Sequence, residues 1–295
     1  MKPVRILIFI LFYMLTIAIF CNQARVEPHF KIMTGKTSEL LQTSLKNGEA
    51  ILWHFYHSGF AVKTARHLLI FDYLPGRNVL KDKKGLAAGL IDPDEIKEEN
   101  VIVFISHEHS DHWYRGCLRW QDKVKRIHYV VSPEVSREDK RFASREGLIT
   151  TLAANMVAKV RDVSIKTLLS TDSGVAFLVK TDGLTIYHSG DHACWNWDNN
   201  PKLEKKFVRE RLKPLEGENI DIAMHVCESR LKASGWGGIF AFARKYKPKL
   251  LVPMHLFGNY NVTPEIESLL KEYKIPVSFW PIQSCGDCIM FQPRR

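Results

Sequence analysis

The sequence predicts an α/β protein built as an αββα sandwich, two mixed sheets packed face to face with helices on their outer faces. Two observations lead there. Strand-rich and helix-strand stretches alternate through both halves of the chain, and each chemically loaded group of residues directly follows a buried strand. At 295 residues and 45% apolar content, one domain with a substantial core is the expectation.

Taken in order, Thr37 to Lys46 has a Ser/Thr start, leucines at Leu40, Leu41 and Leu45, and Gly48 beyond its end, the pattern of a short amphipathic helix. It belongs to a lead-in over residues 25–50; the catalytic domain runs over 51–295. Ile51–Tyr56, Phe60–Lys63 and His67–Asp72 are branched and aromatic runs broken at Ser58-Gly59 and near Ala65, an antiparallel meander. After a Gly- and Lys-rich loop (75–89), Pro93–Glu98 is expected as a short helix capped by Asp92. Val101–Ile105 and Ile127–Val131 are continuous apolar runs and therefore strands buried on both faces. Gly174–Lys180 and Leu184–His188 flank Thr181-Asp182-Gly183, a hairpin signal. Then follow a charged helix over Lys202–Leu212, a strand over Asp221–His225, a helix over Gly238–Tyr246, a strand over Leu250–Pro253, and a helix from Thr263 to Tyr273 with Thr263 as cap and proline at its first position.

At the N-terminus, Lys2 and Arg5 precede an apolar run from Ile6 to Cys21. Its 16 residues fall short of the ~20 that span a bilayer, so residues 1–24 read as a signal peptide cleaved after Ala24, with an uncleaved membrane anchor as the alternative and lipid attachment at Cys21 a weaker one. Either reading implies an exported or membrane-anchored protein. Net charge is +10; without residues 1–24 there remain 40 basic and 32 acidic residues, or +8. Such a balance favours an anionic small-molecule or lipid-like substrate. Without a long Lys/Arg run, no specific nucleic-acid binding is indicated. Of six cysteines only Cys285 and Cys288 are closely spaced, either as a local disulfide in an exported protein or as two free thiols.

The chemistry concentrates in His107-Glu-His109-Ser-Asp111-His112, where three imidazoles and the Asp111 carboxylate sit on a turn leaving a strand. These are ligands that Zn²⁺ prefers, and a catalytic zinc keeps one position open for water. Residues two apart in extended chain point the same way, so His107 and His109 can grip one ion while Asp111 and His112, past the bend, face a second.

This H-x-H-x-D-H pattern resembles the metallo-β-lactamase superfamily, and later landmarks fall in its order. Asp191, in His188-Ser-Gly190-Asp191, is similar to that superfamily's bridging aspartate, and His255, in Val252-Pro-Met-His255, to the last histidine of its second metal site. The resemblance implies His107 and His109 in site one, Asp111, His112 and His255 in site two, and Asp191 between them. The early His57-Ser-Gly-Phe-Ala-Val and Leu69-Ile-Phe-Asp72 elements resemble the branch with L-ascorbate-6-phosphate lactonase and N-acyl phosphatidylethanolamine phospholipase D. The stretches Tyr187–Asp191 and Trp195-Asn-Trp197 resemble uncharacterised bacterial zinc-dependent hydrolases. The similarity spans residues 51 to 292.

One departure stands out. The superfamily's third site-one histidine lies between the H-x-H-x-D-H turn and the bridging aspartate, where this chain has only His128 and His188. His128 lies inside a strand and reads as structural, so His188 and His57 are the candidates. His54 and His225 read as structural, though His225 could line the pocket; His192 could contact a ligand from outside. Trp195 and Trp197 read as packing near the mouth, with Trp195 alternatively a substrate-pocket residue, and Glu228 and Arg230 as contacts for an anionic substrate or as an ion pair. The expected function is hydrolysis of an ester, lactone, amide or phosphodiester by hydroxide held on one or two ions, Zn²⁺ with Mn²⁺ or Fe as alternatives, Asp111 orienting it and passing on its proton. Two other classes remain: a non-catalytic metal- or ligand-binding protein, and a di-iron redox enzyme, against which His109 stands where such enzymes carry glutamate.

Overall fold

A computed structural model describes residues 29–76, 84–143, 147–198 and 200–293. The apolar run within residues 1–24 and part of the 75–89 loop lie outside them. Strands follow the chain as β1 (Phe30–Ile32), β2 (Ala50–His54), β3 (Phe60–Lys63), β4 (Leu68–Phe71), β5 (Val101–Ile105), β6 (Ile127–Val131), β7 (Ile149–Thr151), β8 (Val157–Val160), β9 (Val163–Leu169), β10 (Val175–Thr181), β11 (Leu184–His188), β12 (Ile222–Val226), β13 (Leu250–Met254), β14 (Ser278–Phe279) and β15 (Cys288–Phe291). They form two mixed sheets, β1-β15-β2-β3-β4-β5-β6-β7 and β14-β13-β12-β11-β10-β9-β8. The expected meander is β2-β3-β4, antiparallel throughout.

The buried runs are apolar on both faces because each sheet is covered twice. From β5, Ile102 and Phe104 point into the core between the sheets, where Phe104 meets Phe71 and Phe177, while Val101, Val103 and Ile105 point outward against Trp113, Leu118, Trp120 and Val135. The second sheet repeats the arrangement. Ile222 and Met224 of β12 face the core, and Ala223 lies with Ile239 and Phe242 of a helix spanning Lys232–Tyr246 and with Ile266 and Leu270 of one spanning Thr263–Glu272. This is the expected four-layer sandwich.

Several elements differ from expectation. Pro93–Glu98 forms successive turns rather than a helix: Glu95 N–H bonds Asp92 O and Glu99 N–H bonds Ile96 O, and Ile96 alone is buried, too little to hold a helical face. The first helix stops at Gln42, and the charged one runs Pro201–Lys206 before widening into a π turn at Phe207–Arg211. Thr263 sits inside its helix; its hydroxyl donates to Tyr260 O and Ile282 O instead of capping. Cys285 and Cys288 carry free thiols, not a disulfide.

Strands β4, β5 and β6 are parallel, as are β11, β12 and β13, so their carboxyl ends meet at one end of the sandwich. The opposite end is closed by Asp182, in a two-residue hairpin whose Asp182 and Gly183 both have positive φ (48° and 72°), the backbone of a type I′ turn. Its buried carboxylate accepts from Thr64 Oγ1 at 2.6 Å, Arg66 N at 2.9 Å and Arg66 Nε at 2.6 Å, tying the β3–β4 turn of one sheet to the β10–β11 hairpin of the other. Burial opposes the charge, but the bonds from Thr64 and Arg66 outweigh it and hold the carboxyl below its ordinary range.

Replacing Asp182 by Ala should therefore destabilise the fold by about 2–3 kcal/mol in denaturant unfolding, and Asp182→Asn, which tolerates the left-handed backbone, by less. Because the folded carboxyl is depressed, its contribution is present above the unfolded value of about 4 and is lost as pH falls toward the folded one. The gap between wild type and Asp182→Asn should close on acidification.

Candidate metal centre

The ends of both parallel runs deliver the site. Asp72 follows β4, Ser106 and His107 follow β5, His188 ends β11 with Asp191 three residues on, Glu228 follows β12, and His255 follows β13. His57 arrives from the β2–β3 turn. His57, Asp72 and His255 all have positive φ (54°, 37° and 67°), unusual for side-chain-bearing residues and concentrated where the two sheets meet. Two glycines make the close approach possible. A Cβ at Gly174 would stand 2.0 Å from Ser106 O, and one at Gly190 2.8 Å from the Ser106 Cβ.

Asp191 is the hub. Its Oδ2 lies 3.3 Å from His107 Nε2, and its Oδ1 lies 3.1 Å from His112 Nε2 and 3.3 Å from His255 Nε2. Two sets of ligand atoms result, each within 4.8 Å: His107, His109 and Asp191, and His57, Asp111, His112 and His255. The sequence-predicted residues His107, His109, Asp111, His112, Asp191 and His255 are thus brought together. All but His109 and Asp111 are buried.

The tautomers follow from the surroundings. Ser106 Oγ has a single proton and is 2.6 Å from Asp72 Oδ2, to which it donates; it therefore accepts from His107 Nδ1 at 2.8 Å. Asp72 Oδ2 also accepts from His112 Nδ1 at 2.8 Å, and Asp72 Oδ1 accepts from Ser106 N. Glu228 Oε2 accepts from His255 Nδ1 at 2.8 Å. With protons fixed on Nδ1, all three rings turn an Nε2 lone pair toward Asp191.

Whether these residues fit a metal is decided by what the inner atoms lack. His107 Nε2, His112 Nε2 and Asp191 Oδ1 are buried with no hydrogen-bond partner of acceptable geometry. Leaving one such group unsatisfied costs roughly 1–3 kcal/mol, so several converging on one point favour a cation that completes them. The donor set, imidazole and carboxylate, suits a borderline divalent ion. Burial works against charge on His112, yet Asp191 and Asp72 on either side raise its pKa well above the ordinary histidine value; a proton there competes with a metal.

The candidates for the missing third histidine separate cleanly. His188 is not free to ligate: Nε2 donates to Ser58 O at 2.9 Å, Nδ1 accepts from Gly190 N at 3.2 Å, and the ring stacks on Phe71. His128, in β6, pairs with Thr150 of β7. The Ser170–Gly174 loop, bonded to Asp191 O through Thr171, carries no imidazole. His57 does reach the site, 3.3 Å from Asp111 Oδ2, but on the side of His112 and His255 rather than of His107 and His109.

Other readings change. His225 does not line the pocket; it lies on the outer face of its sheet, 4.8 Å from the Phe242 ring. His192 packs on Phe207 with Nε2 against Arg211 O, away from the ions' place. Glu228 is not a substrate contact, since Arg230 binds both its oxygens (2.9 and 2.8 Å) and His255 takes the rest, holding its carboxyl down to about 2 against the effect of burial. Trp195 donates to Asp191 O and lies edge-on to His255, while Trp197 stacks on it and is 58% exposed. Asp72 and Ser106 are the functional residues that sequence reasoning missed.

A family model described as a beta-lactamase superfamily domain matches residues 51–255. The chain belongs to this superfamily. Among curated relatives of this superfamily member, a UPF0173 metal-dependent hydrolase of Pyrococcus furiosus is 22% identical over 227 residues, covering 74% of this chain and 88% of the relative. One of Thermococcus kodakarensis is 22% identical over 228 residues with the same coverage. Of solved structures, Igni18, a metallo hydrolase of Ignicoccus hospitalis, superposes with a TM-score of 0.59 at 17% identity, covering 83% of this chain and all of that one (100%), a likeness of fold.

Asp72→Asn keeps the shape but removes the charge that holds His112 and Ser106. It should lower metal affinity about 10–100-fold, measured by competition with a chromogenic chelator, with the fold intact by circular dichroism.

Proposed function

We propose that the chain is a metal-dependent hydrolase that cleaves an ester, lactone, amide or phosphodiester bond in an anionic substrate. The observation that carries this is the convergence of unpartnered, buried ligand atoms on Asp191, beside an ionised Asp111 that is only half-buried. The names of the curated relatives agree with it. A divalent ion bound there, Zn²⁺ or another borderline metal, supplies Lewis-acid activation of water and of the scissile group.

The protein's own residues do the rest. Burial opposes the charge on Asp111, but His57 and His112 hold its carboxyl well below the usual carboxylate range. It is therefore ionised at neutral pH and ready to take the proton of an attacking water and return it to the leaving group. His57 Nδ1 accepts from Phe257 N at 3.3 Å, which leaves the ring proton on Nε2, facing Asp111 Oδ2. Burial pushes His57 down to about 3, so at neutral pH it is an uncharged donor that orients Asp111.

The mouth supports the substrate class. Trp197 and Phe257 expose apolar faces beside the centre, and the Arg230 guanidinium lies 5.8 and 4.9 Å from their ring centroids, itself about 60% exposed. A cation held over aromatic rings at the rim suits a substrate with an anionic group next to an apolar portion. The overall basic charge draws such a molecule in.

Changing His107 and His109 together to Ala should abolish both stoichiometric metal, measured by plasma mass spectrometry, and turnover of a panel of phosphodiesters, lactones and acyl esters; retention of both would refute the assignment. Trp197→Ala should leave metal content unchanged and raise KM about 2–10-fold for whichever anionic substrate the panel yields, with little change in kcat.

A further inference from the structure

At the end of the sandwich away from the metal centre, where β4, β5 and β6 begin, lies a cleft of about 590 Å³ lined by Lys63, Arg66, Arg126, Arg161, Glu98, Glu99 and Asn100 with Ala65. Four cations face two carboxylates. They are not equally engaged. Arg66 is paired with Asp162 and Asp182, and Lys63 lies 3.6 Å from Glu99. Arg126 and Arg161 differ: among the described residues the acceptors they reach are neutral, Glu98 O for Arg126 and Asn100 Oδ1 and Val101 O for Arg161.

A second, independent observation concerns the backbone. Arg161 occupies the β8–β9 turn with φ of 56°, a left-handed conformation that glycine or asparagine adopts at less cost. An arginine there gives up local stability and places a guanidinium beside a like charge: burial and then Arg126 lower its pKa from the ordinary arginine value. Arg126 and Arg161 share one cleft and, among the described residues, neither has a carboxylate within ion-pair distance, Asp162 acting on Arg161 only at longer range; such a pair is open to a multiply charged acceptor.

We propose that this cleft binds the phosphate of a small hydroxyl-bearing phosphate monoester. Arg126 and Arg161 take the phosphate oxygens, and the Glu98 carboxylate and Asn100 amide, on the same wall, meet hydroxyl groups. The cleft volume accommodates a ligand larger than phosphate alone. Its place among strand N-terminal ends makes it separate from the chemistry at the carboxyl ends.

The test is calorimetric titration of the purified metal-loaded protein with glycerol phosphate as probe, with inorganic phosphate for comparison. Saturable one-site binding is expected, weakening with ionic strength and tighter for glycerol phosphate than for phosphate. Arg161→Gly, which relieves the turn and should fold at least as stably, and Arg126→Gln should each lower affinity at least about tenfold, with metal content unchanged. The His107→Ala, His109→Ala protein should bind the probe as the wild type does. The proposal is overturned if no saturable binding is seen, if both arginine variants bind as tightly as wild type, or if binding disappears with the metal ligands and persists in Arg161→Gly, which would place the anion at the metal centre.

Discussion

Each buried ligand histidine of the centre is held by a partner on its far nitrogen: His107 by Ser106, His112 by Asp72, His255 by Glu228. On that arrangement the rest depends. It fixes the proton on Nδ1, aims three Nε2 lone pairs at one carboxylate, and leaves the inner atoms short of partners until a cation arrives. The anchors are themselves anchored, Asp72 by Ser106 N–H and Oγ–H and Glu228 by a two-pronged Arg230. Removing one anchor therefore frees a ring rather than merely deleting a contact.

The fold supplies what side chains alone cannot. Two sets of parallel strands, one in each sheet, place their carboxyl ends at the same end of the sandwich, so residues from five strand ends and one hairpin converge without any long loop. The sheets are locked together at that end by backbone as well: His255 N–H bonds His57 O, joining a strand end of one sheet to the β2–β3 turn of the other. Positive φ at His57, Asp72 and His255 is strain that the packed sandwich can hold and an isolated turn could not.

Much of this was legible in the sequence because the signals were local. Val101–Ile105 and Leu184–His188 have the predicted bounds, since a run apolar on both faces and a hairpin with Asp-Gly at its turn each specify themselves over a few residues. The H-x-H-x-D-H turn was legible for the same reason. The weak strands β1, β7, β8 and β14 were not, being short or half-exposed and defined by their neighbours' hydrogen bonds. Asp72 was missed because a lone aspartate ending a strand looks like any turn residue until folding brings Ser106 and His112 against it. His188 and His57 could not be separated by spacing: only the carbonyl of Ser58, which claims His188 Nε2, and the turn that swings His57 toward Asp111 decide between them.

The two ligand sets are not equivalent, and the difference explains what the absent third histidine does to the site. Around His112 and His255 the rings are buried and tied through Nδ1 to Asp72 and Glu228, so little motion remains to be lost when an ion binds. On the other side, His107 is equally fixed, but His109 is exposed and its ring stands edge-on to His107 without burial to hold it. A position with two histidines and a shared carboxylate has an open face, as a catalytic ion requires, yet must order His109 on binding. His57 adds to the set that is already richer, and its Nδ1, facing the Phe257 amide, biases it toward donating to Asp111 rather than toward ligation. On the proposed function the asymmetry would divide the labour: the buried set around His112 and His255 would hold an ion, and the side with the exposed His109 would leave a face open to substrate.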